Sequence, residues 1–199
     1  MINKNLPEKI AVFPLSNAIF FPKTILPLNI FEKRYIQLVS DCMKNQKLFG
    51  MVQPILKRKP KPGIYKVGCL GKIITFSETD DKRYIINLSG IIRFRIKEEL
   101  ITDKLYREFK VDYSDFIHDL DSKKIKKDYD IKNLLSNIKL FFSKKNYLIE
   151  FGELKKLNFD QLISTVCMVA PFSLEEKQKL IETIEVEERF KVLEEIIKF

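Results

Sequence analysis

The stretch FFPKTILPLNIFEKRY, residues 20–35, contains the change of pattern on which the fold depends. Its first part is apolar and extended, and Pro22 and Pro27 interrupt it. Because proline disrupts the interior of a helix, Pro27 has to lie upstream of any helix that follows. From Phe31 onward, apolar residues recur with the i, i+3, i+4 spacing of one helical face, at Tyr35, Leu38, Val39, Cys42 and Met43. The stretch therefore predicts an extended segment followed by a helix over about residues 31–45.

The end of this stretch places charged residues between two aromatic residues, Phe31 and Tyr35. These two are four residues apart and would share one buried face of the helix. Glu32 falls in the predicted first turn, where a negative charge is favourable. Glu32 and Arg34 are poorly placed to face one another on a helix, so we expect Glu32 to pair with Arg93 on a later strand. The cluster is predicted to hold the helix against a sheet, and a direct ligand contact is the alternative.

Over residues 1–117, apolar residues mostly alternate with polar ones, which is typical of strands with one buried face. Gly68, Gly71 and Gly90 lie within the alternating runs, where glycine often marks a bulge or a barrel corner. Several short runs with glycines between them predict an antiparallel sheet or a closed barrel. The runs lie near residues 10–12, 48–52, 67–76, 84–88, 92–96 and 109–113.

Residues 131–199 follow a helical period instead, and they predict a small helical bundle. Ser173 and Glu176 have the spacing of a capping box, and Pro171 is expected to end the preceding helix. Residues 118–130, HDLDSKKIKKDYD, are polar and without apolar periodicity, so we interpret them as a linker. The predicted fold class is α+β, with a β-rich unit at 1–117 that includes the one helix, a linker at 118–130, and the bundle at 131–199.

The net charge of +9 is unevenly distributed along the chain. Residues 1–116 have 21 Lys and Arg against 12 Asp and Glu, whereas residues 117–199 have 15 of each. A basic half could attract nucleic acid. The competing explanation is codon usage, because 29 lysines and 26 isoleucines beside 7 arginines and 3 alanines are typical of an AT-rich genome. A basic loop contains Lys57, Arg58, Lys59 and Lys61. It is either a solvated connection between two strands or a candidate anion contact.

Residue types that carry chemistry are sparse. The three cysteines are far apart and the only histidine is His118, which does not provide the four closely spaced ligands of a structural zinc site. We expect free, buried or half-buried thiols in a reducing, cytoplasmic compartment. The spacing of Gly63 and Gly68 matches part of a phosphate-binding loop, but Cys69 and Leu70 stand where Lys and Ser or Thr are needed. We predict no catalytic residue, no cofactor, no metal and no membrane span.

Ordered segments along the chain carry a resemblance to a known family. Residues 13–15 (FPL), 21–24 (FPKT), 26–28 (LPL) and 30–35 (IFEKRY) precede FGMV at 49–52, VGCLGKI at 67–73 and LSGIIRFRI at 88–96. EKQKLIE at 176–182 follows, with Arg189 and Leu193. This set resembles the N-terminal, substrate-binding domain of Lon protease over about residues 8–198. One departure is Lys82, which stands where glycine is common.

The resemblance implies a β-barrel related to the PUA fold, followed by a helical subdomain. It also implies a role in engaging unfolded or tagged proteins, without the ATPase and protease modules, because the chain stops at Phe199. We therefore expect a non-catalytic, free-standing domain that binds a protein or peptide partner, and RNA binding by a PUA-like barrel is the alternative. The signature residues are expected to be structural, and they are Phe31, Glu32, Arg34, Tyr35, Gly50, Gly68, Arg83, Gly90, Arg93 and Phe94.

Overall fold

A computed structural model describes residues 6–16, 18–55, 63–121, 129–148 and 150–198 of the chain. The chain forms two compact units, residues 1–121 and 122–199. The first unit contains eight strands, one α-helix and one 3-10 helix in its described part. They are β1 (Lys9–Pro14), β2 (Ile25–Ile30), α1 (Lys33–Met43), β3 (Leu48–Val52), β4 (Pro54–Ile55), β5 (Gly63–Ile64), β6 (Val67–Glu78), β7 (Tyr84–Leu100), β8 (Arg107–Asp112) and η1 (Ser114–Leu120).

Six of these strands form a mixed sheet in the order β2-β7-β6-β3-β1-β8. The pair β1–β3 is parallel and the other pairs are antiparallel. Strand β7 has 17 residues, and its two halves have different partners. Its first half pairs with β2, and its second half pairs with β8, which closes β7, β6, β3, β1 and β8 into a barrel. The predicted α+β fold with a barrel is confirmed.

The runs predicted at 84–88 and 92–96 form the single strand β7. Leu70 lies opposite Ile92 and Gly71 opposite Gly90, so Ile91 is an extra residue that bulges β7 between them. Gly90 is required at this point, because a Cβ atom there would overlap the backbone carbonyl of Phe21. The bulge expected from the glycine pattern is therefore present, and it does not interrupt the strand.

Helix α1 begins two residues later than the sequence predicts. Glu32 precedes the helix with extended dihedral angles, φ −73° and ψ 132°. The alternation of β2 therefore continues up to this point, with Ile30 buried and Phe31 directed outward at 67% exposure. The shared buried face predicted for Phe31 and Tyr35 is wrong for this reason. Tyr35 itself is buried, and its ring lies 4.1 Å from that of Phe13 on β1.

The structure places residues 118–121 within the first unit rather than in a linker. Helix η1 extends to Leu120, and Asp119 on it hydrogen-bonds to a strand of the barrel. This contact requires a carboxylate at position 119. Residues 122–128 of the expected linker lie outside the described residues.

The second unit is built from amphipathic helices. Asn158 and Ser173 each accept a hydrogen bond in a capping box, which confirms the prediction for Ser173 and Glu176. None of the helices in the described part of the chain is long and apolar enough to cross a lipid bilayer. The helices are α2 (Ile131–Lys144), α3 (Phe151–Leu154), α4 (Phe159–Val169), α5 (Leu174–Glu182) and α6 (Val186–Lys198).

Candidate functional site

A groove of about 490 Å³ opens in the first unit, beside the C-terminal end of β1. One wall is formed by Pro14 and Leu15, together with Pro54 and Ile64 of the small β4–β5 hairpin. The opposite wall comes from the chain entering β8, where Leu105 is 63% exposed. The walls are therefore mainly apolar, and they lie on segments that the barrel strands hold in place.

Two tyrosines line this groove, Tyr35 and Tyr106. Burial raises the pKa of Tyr35, against a smaller opposing effect of the neighbouring Arg34 guanidinium. Burial also raises the pKa of Tyr106 to about 12, and its hydroxyl donates a hydrogen bond of 3.0 Å to Asp41. Both phenols are therefore neutral at physiological pH and poor bases, and the one O–H of Tyr106 is already donated to Asp41.

Glu32 and Arg34 form the charged rim of the groove. Arg34 Nε and Nη2 donate to Glu32 Oε2 at 3.1 and 2.7 Å, and the guanidinium lies 4.6 Å from the centre of the Tyr35 ring. The predicted pair between Glu32 and Arg93 is wrong. Glu32 precedes the helix in an extended conformation, so the spacing of two residues does not separate it from Arg34 as it would on a helix.

Arg93 is paired elsewhere, inside the first unit. Its Nε and Nη2 donate to Asp119 Oδ2 and Oδ1 at 2.9 and 2.7 Å, and its backbone N–H donates to Oδ2 at 3.0 Å. The guanidinium also lies 4.6 Å from the centre of the Phe116 ring. These contacts hold η1 against β7, so the role that the sequence assigned to Glu32 belongs to Asp119.

Three further signature residues meet in the barrel core. A Cβ atom on Gly50 or on Gly68 would come within about 3 Å of the ring of Phe94, which is completely buried. The two glycines thus provide the space that this ring occupies. Arg83 lies instead in the β6–β7 turn, where it pairs with Asp81 at 2.6 Å. Of the ten signature residues, only Glu32, Arg34 and Tyr35 line the groove.

The basic loop with Lys57, Arg58, Lys59 and Lys61 lies outside the described residues. Each arginine in the described part of the chain has a carboxylate partner within 3.9 Å. Those arginines are Arg34, Arg83, Arg93, Arg95, Arg107 and Arg189. Their charge is thus largely neutralised within the protein, which reduces what they could offer to a phosphate backbone.

The cysteines are structural rather than reactive. Cys42, Cys69 and Cys167 are free and buried, which confirms the predicted free, buried state of the thiols. Burial raises the pKa of Cys42 and of Cys167 to about 12, and that of Cys69 well above its usual value. The thiolate, which is the reactive species, is therefore scarce at neutral pH. The residues that the structure describes contain no group of three or more His, Cys, Asp or Glu side chains that could hold a metal ion.

The sequence did not single out several residues that matter here. Pro14 belongs to the FPL motif, but nothing local shows that its strand loses a neighbour at this point. Leu105 resembles any exposed loop leucine, and Tyr106 and Arg107 lie just before the alternating run at 109–113. Asp119 lies in a polar segment with no apolar period, and its partner is 26 residues away. Phe116, an aromatic residue just before the polar segment, was the one local sign that this part of the chain packs against the barrel.

Comparisons with known proteins agree with this architecture. A family model described as the ATP-dependent protease La (LON) substrate-binding domain matches residues 9–198. Lon protease of Dictyoglomus thermophilum is 27% identical over 195 residues, which cover 94% of this chain and 24% of that protein. Lon protease of Desulfosudis oleivorans is 29% identical over 198 residues, covering 94% and 23%. The chain thus spans about a quarter of the length of the curated relatives that it matches.

Solved structures show the same fold. The Lon N-terminal domain protein from Xanthomonas campestris superposes with a TM-score of 0.65 at 20% identity, covering 93% of this chain and 96% of that one. The N-terminal domain of Mycobacterium avium complex Lon protease gives a TM-score of 0.64 at 14% identity, covering 96% and 98%. Because the family model covers nearly all of the sequence, this chain belongs to the family of the ATP-dependent protease La (Lon) substrate-binding domain.

Proposed function

We propose that this chain is a non-catalytic module that binds protein or peptide segments, and that the groove beside β1 is its binding surface. The observation that carries the proposal is the groove itself, with apolar walls and an ion-paired rim. Ligand sites commonly combine apolar walls with a few polar groups that fix orientation. The family description as a substrate-binding domain supports the same role.

The size of the groove fits part of a polypeptide chain. Its volume of about 490 Å³ lies within the usual range of roughly 300–1,000 Å³ for ligand sites. Leu105 gives it an exposed apolar contact, and Pro14 and Ile64 extend this surface on the other wall. A partner would bury these side chains, and burying apolar surface is the main favourable term in most protein associations.

The polar groups of the groove favour recognition over chemistry. The tyrosines are neutral, and Arg34 and Arg107 are held by Glu32 and Glu99. A nucleophile activated by an adjacent base would need a different arrangement. We accordingly propose that the chain is not an enzyme, and that it acts in the cytoplasm, where its free thiols would remain reduced.

The test of this proposal uses a fluorescently labelled, permanently unfolded polypeptide and measures its binding to the full chain by anisotropy. Leu105→Gln should weaken binding about tenfold, which corresponds to about 1.4 kcal/mol. Ile25→Gln is the matched control, because Ile25 is similarly exposed on β2 and does not line the groove. Binding that survives Leu105→Gln but is lost in Ile25→Gln would place the site on another face of the protein.

RNA binding is the second candidate, because residues 1–116 have a clear excess of Lys and Arg. It would use the basic loop as its anion contact, through Lys57, Arg58, Lys59 and Lys61. A filter-binding titration at two salt concentrations tests it, since several phosphate contacts give a steep dependence on salt. Replacing the four loop cations with Gln should then abolish RNA binding. Absent binding, or binding that does not respond to salt, would exclude this candidate.

A further inference from the structure

Strand β1 loses one of its two neighbours at the groove. Residues 9–12 of β1 pair with β8, and Val12 lies opposite Arg107, the first residue of β8. Residues 12–14 pair with β3 on the other side. The register with β8 would next set Leu105 opposite Pro14, but β8 does not reach that position. Among the described strands, none pairs with this side of β1 at Pro14, so this edge borders the groove.

The hydrogen-bond pattern shows which backbone group points into this space. Val111 N–H donates to Glu8 C=O at 2.9 Å, and antiparallel pairs alternate, so residues 8, 10 and 12 direct their backbone groups toward β8. Leu15 N–H donates to Val52 C=O at 3.0 Å, so the odd-numbered residues face β3. Pro14 continues the even-numbered set, and its C=O is directed to the side where the groove lies.

A proline and a hydrogen bond keep β8 from extending along this edge of β1. Pro14 has no N–H, so it cannot complete the pair of hydrogen bonds that an antiparallel partner would make there. Leu105 N–H, which could donate to Pro14 C=O, donates instead to Gln37 Oε1 on α1 at 2.9 Å. The missing N–H of Pro14 and the hydrogen bond from Leu105 to Gln37 thus maintain the gap between β1 and β8.

We propose that the groove takes an extended segment of an unfolded polypeptide by strand addition to β1. The segment lies along the open edge, donates a backbone N–H to Pro14 C=O, and packs apolar side chains against Leu105 and Ile64. This inference rests on the proposed function and adds its mode of recognition. An unfolded chain is the occupant that fits, because its backbone N–H groups are available whereas those of a folded protein are already paired.

Strand addition also explains how the site could accept many sequences. The main-chain hydrogen bond to Pro14 C=O does not depend on the side chains of the segment, and the apolar walls select for apolar residues in general. Pro14 has no N–H, so it limits the pairing at this edge to the one hydrogen bond that its C=O accepts. With Pro14 unable to donate, the segment is held by its own N–H and by its side chains, not by a complete ladder.

The experiment uses the full chain and a short labelled peptide of alternating Val and Leu, flanked by Gly and Ser. A set of analogues replaces one backbone amide at a time by an ester, which removes the N–H and keeps the side chains. One central position should weaken binding about tenfold, and its neighbours should have little effect. Equal affinity for all the analogues would overturn strand addition while leaving the proposed function in place. Failure of the parent peptide to bind, together with failure of the unfolded polypeptide, would overturn both.

Variants of Gln37 test the protein side without changing a residue that lines the groove. Gln37→Met removes the acceptor for Leu105 N–H, so Leu105 is free to pair with Pro14 and close the edge, and peptide binding should weaken several-fold. Gln37→Glu is the matched control, because a carboxylate still accepts that N–H, and it should bind as the parent does. Equal binding by both variants contradicts the proposal. A dimer in sedimentation that the peptide does not dissociate would assign the edge to a second copy and also overturn it.

Discussion

Replacing Asp119 with Ala should destabilise the first unit far more than removing an exposed carboxylate from the same 3-10 helix. The reason is the environment of its partner. The side chain of Arg93 is 1% exposed and that of Asp119 is 11% exposed. Without the carboxylate, the guanidinium would be left buried beside the ring of Phe116 with its main counter-charge removed.

The magnitude follows from the contacts. Asp119 accepts three hydrogen bonds from Arg93, two of them from the guanidinium and one from the backbone N–H. Removing one partner of a buried pair costs about 3–5 kcal/mol, mostly because the other charge is left uncompensated. Since a domain is commonly stable by roughly 5–15 kcal/mol, this loss is a large part of the total.

Asp115 provides the matched control. It lies on the same 3-10 helix and pairs with Arg95 at 2.8 Å, but the two side chains are 41% and 39% exposed. An exposed ion pair contributes about 0–1 kcal/mol, so Asp115→Ala should change little. Urea unfolding of both variants gives the free energies, and hydrogen exchange at β7 and η1 reports on the first unit separately from the helical one.

A double-mutant cycle separates the pair from its surroundings. Arg93→Met with Asp119→Ala should show a coupling energy of about 1–3 kcal/mol, because the two residues contact each other. The cycle of Arg93→Met with Glu32→Ala should show none, since Glu32 pairs with Arg34 instead. Equal losses of stability in Asp119→Ala and Asp115→Ala would contradict the importance of the buried pair, and so would coupling of Glu32 to Arg93 as strong as that of Asp119.

Three further outcomes are expected. Gly90→Ala should lower the free energy of unfolding in urea by about 1–3 kcal/mol, because its Cβ would overlap neighbouring backbone. Gly152→Ala is the control and should lose no stability, since a Cβ there meets nothing within 4 Å. Equal losses in the two variants would contradict the close packing at Gly90. The thiol of Cys42, whose pKa burial raises to about 12, should resist a disulfide reagent at neutral pH until the protein unfolds, and rapid labelling of the native protein would contradict its burial. Burial opposes ionisation of Glu108, but hydrogen bonds from two lysines outweigh it and lower its pKa below 4.5. The stability that Glu108 contributes is thus present above pH 4.5 and lost as the pH falls through the folded-state pKa, so acid should reduce the stability of Glu108→Gln less than that of the parent.

The fold could be predicted to a large extent because it depends on local periodicity. Alternation along residues 67–76 and helical spacing along residues 159–170 each follow from which face of an element is buried. The capping box at Ser173 was predictable for the same reason, since both of its partners lie within one turn. The long strand β7 was predicted as two, because a glycine bulge in sequence resembles a turn as much as a continuing strand.

The candidate site was predicted much less well. The cluster around Glu32 was identified, but its partner was wrong, because a helical geometry was assumed for a residue that precedes the helix. Leu105 and Asp119 drew no attention, since each is defined by a contact with a segment distant in sequence. The contact of Leu105 with Gln37 spans 68 residues, and that of Asp119 with Arg93 spans 26.

Patterns along the sequence identify the family and the change from strands to helices. These properties are repeated along many positions, so single errors do not alter them. Tertiary structure alone decided where β8 leaves β1 and which carboxylate meets Arg93. Both depend on the path of the chain between distant segments, where one hydrogen bond directs Leu105 to α1 and one buried ion pair holds η1 to β7. No local pattern encodes such choices, because the partners become neighbours only when the barrel closes.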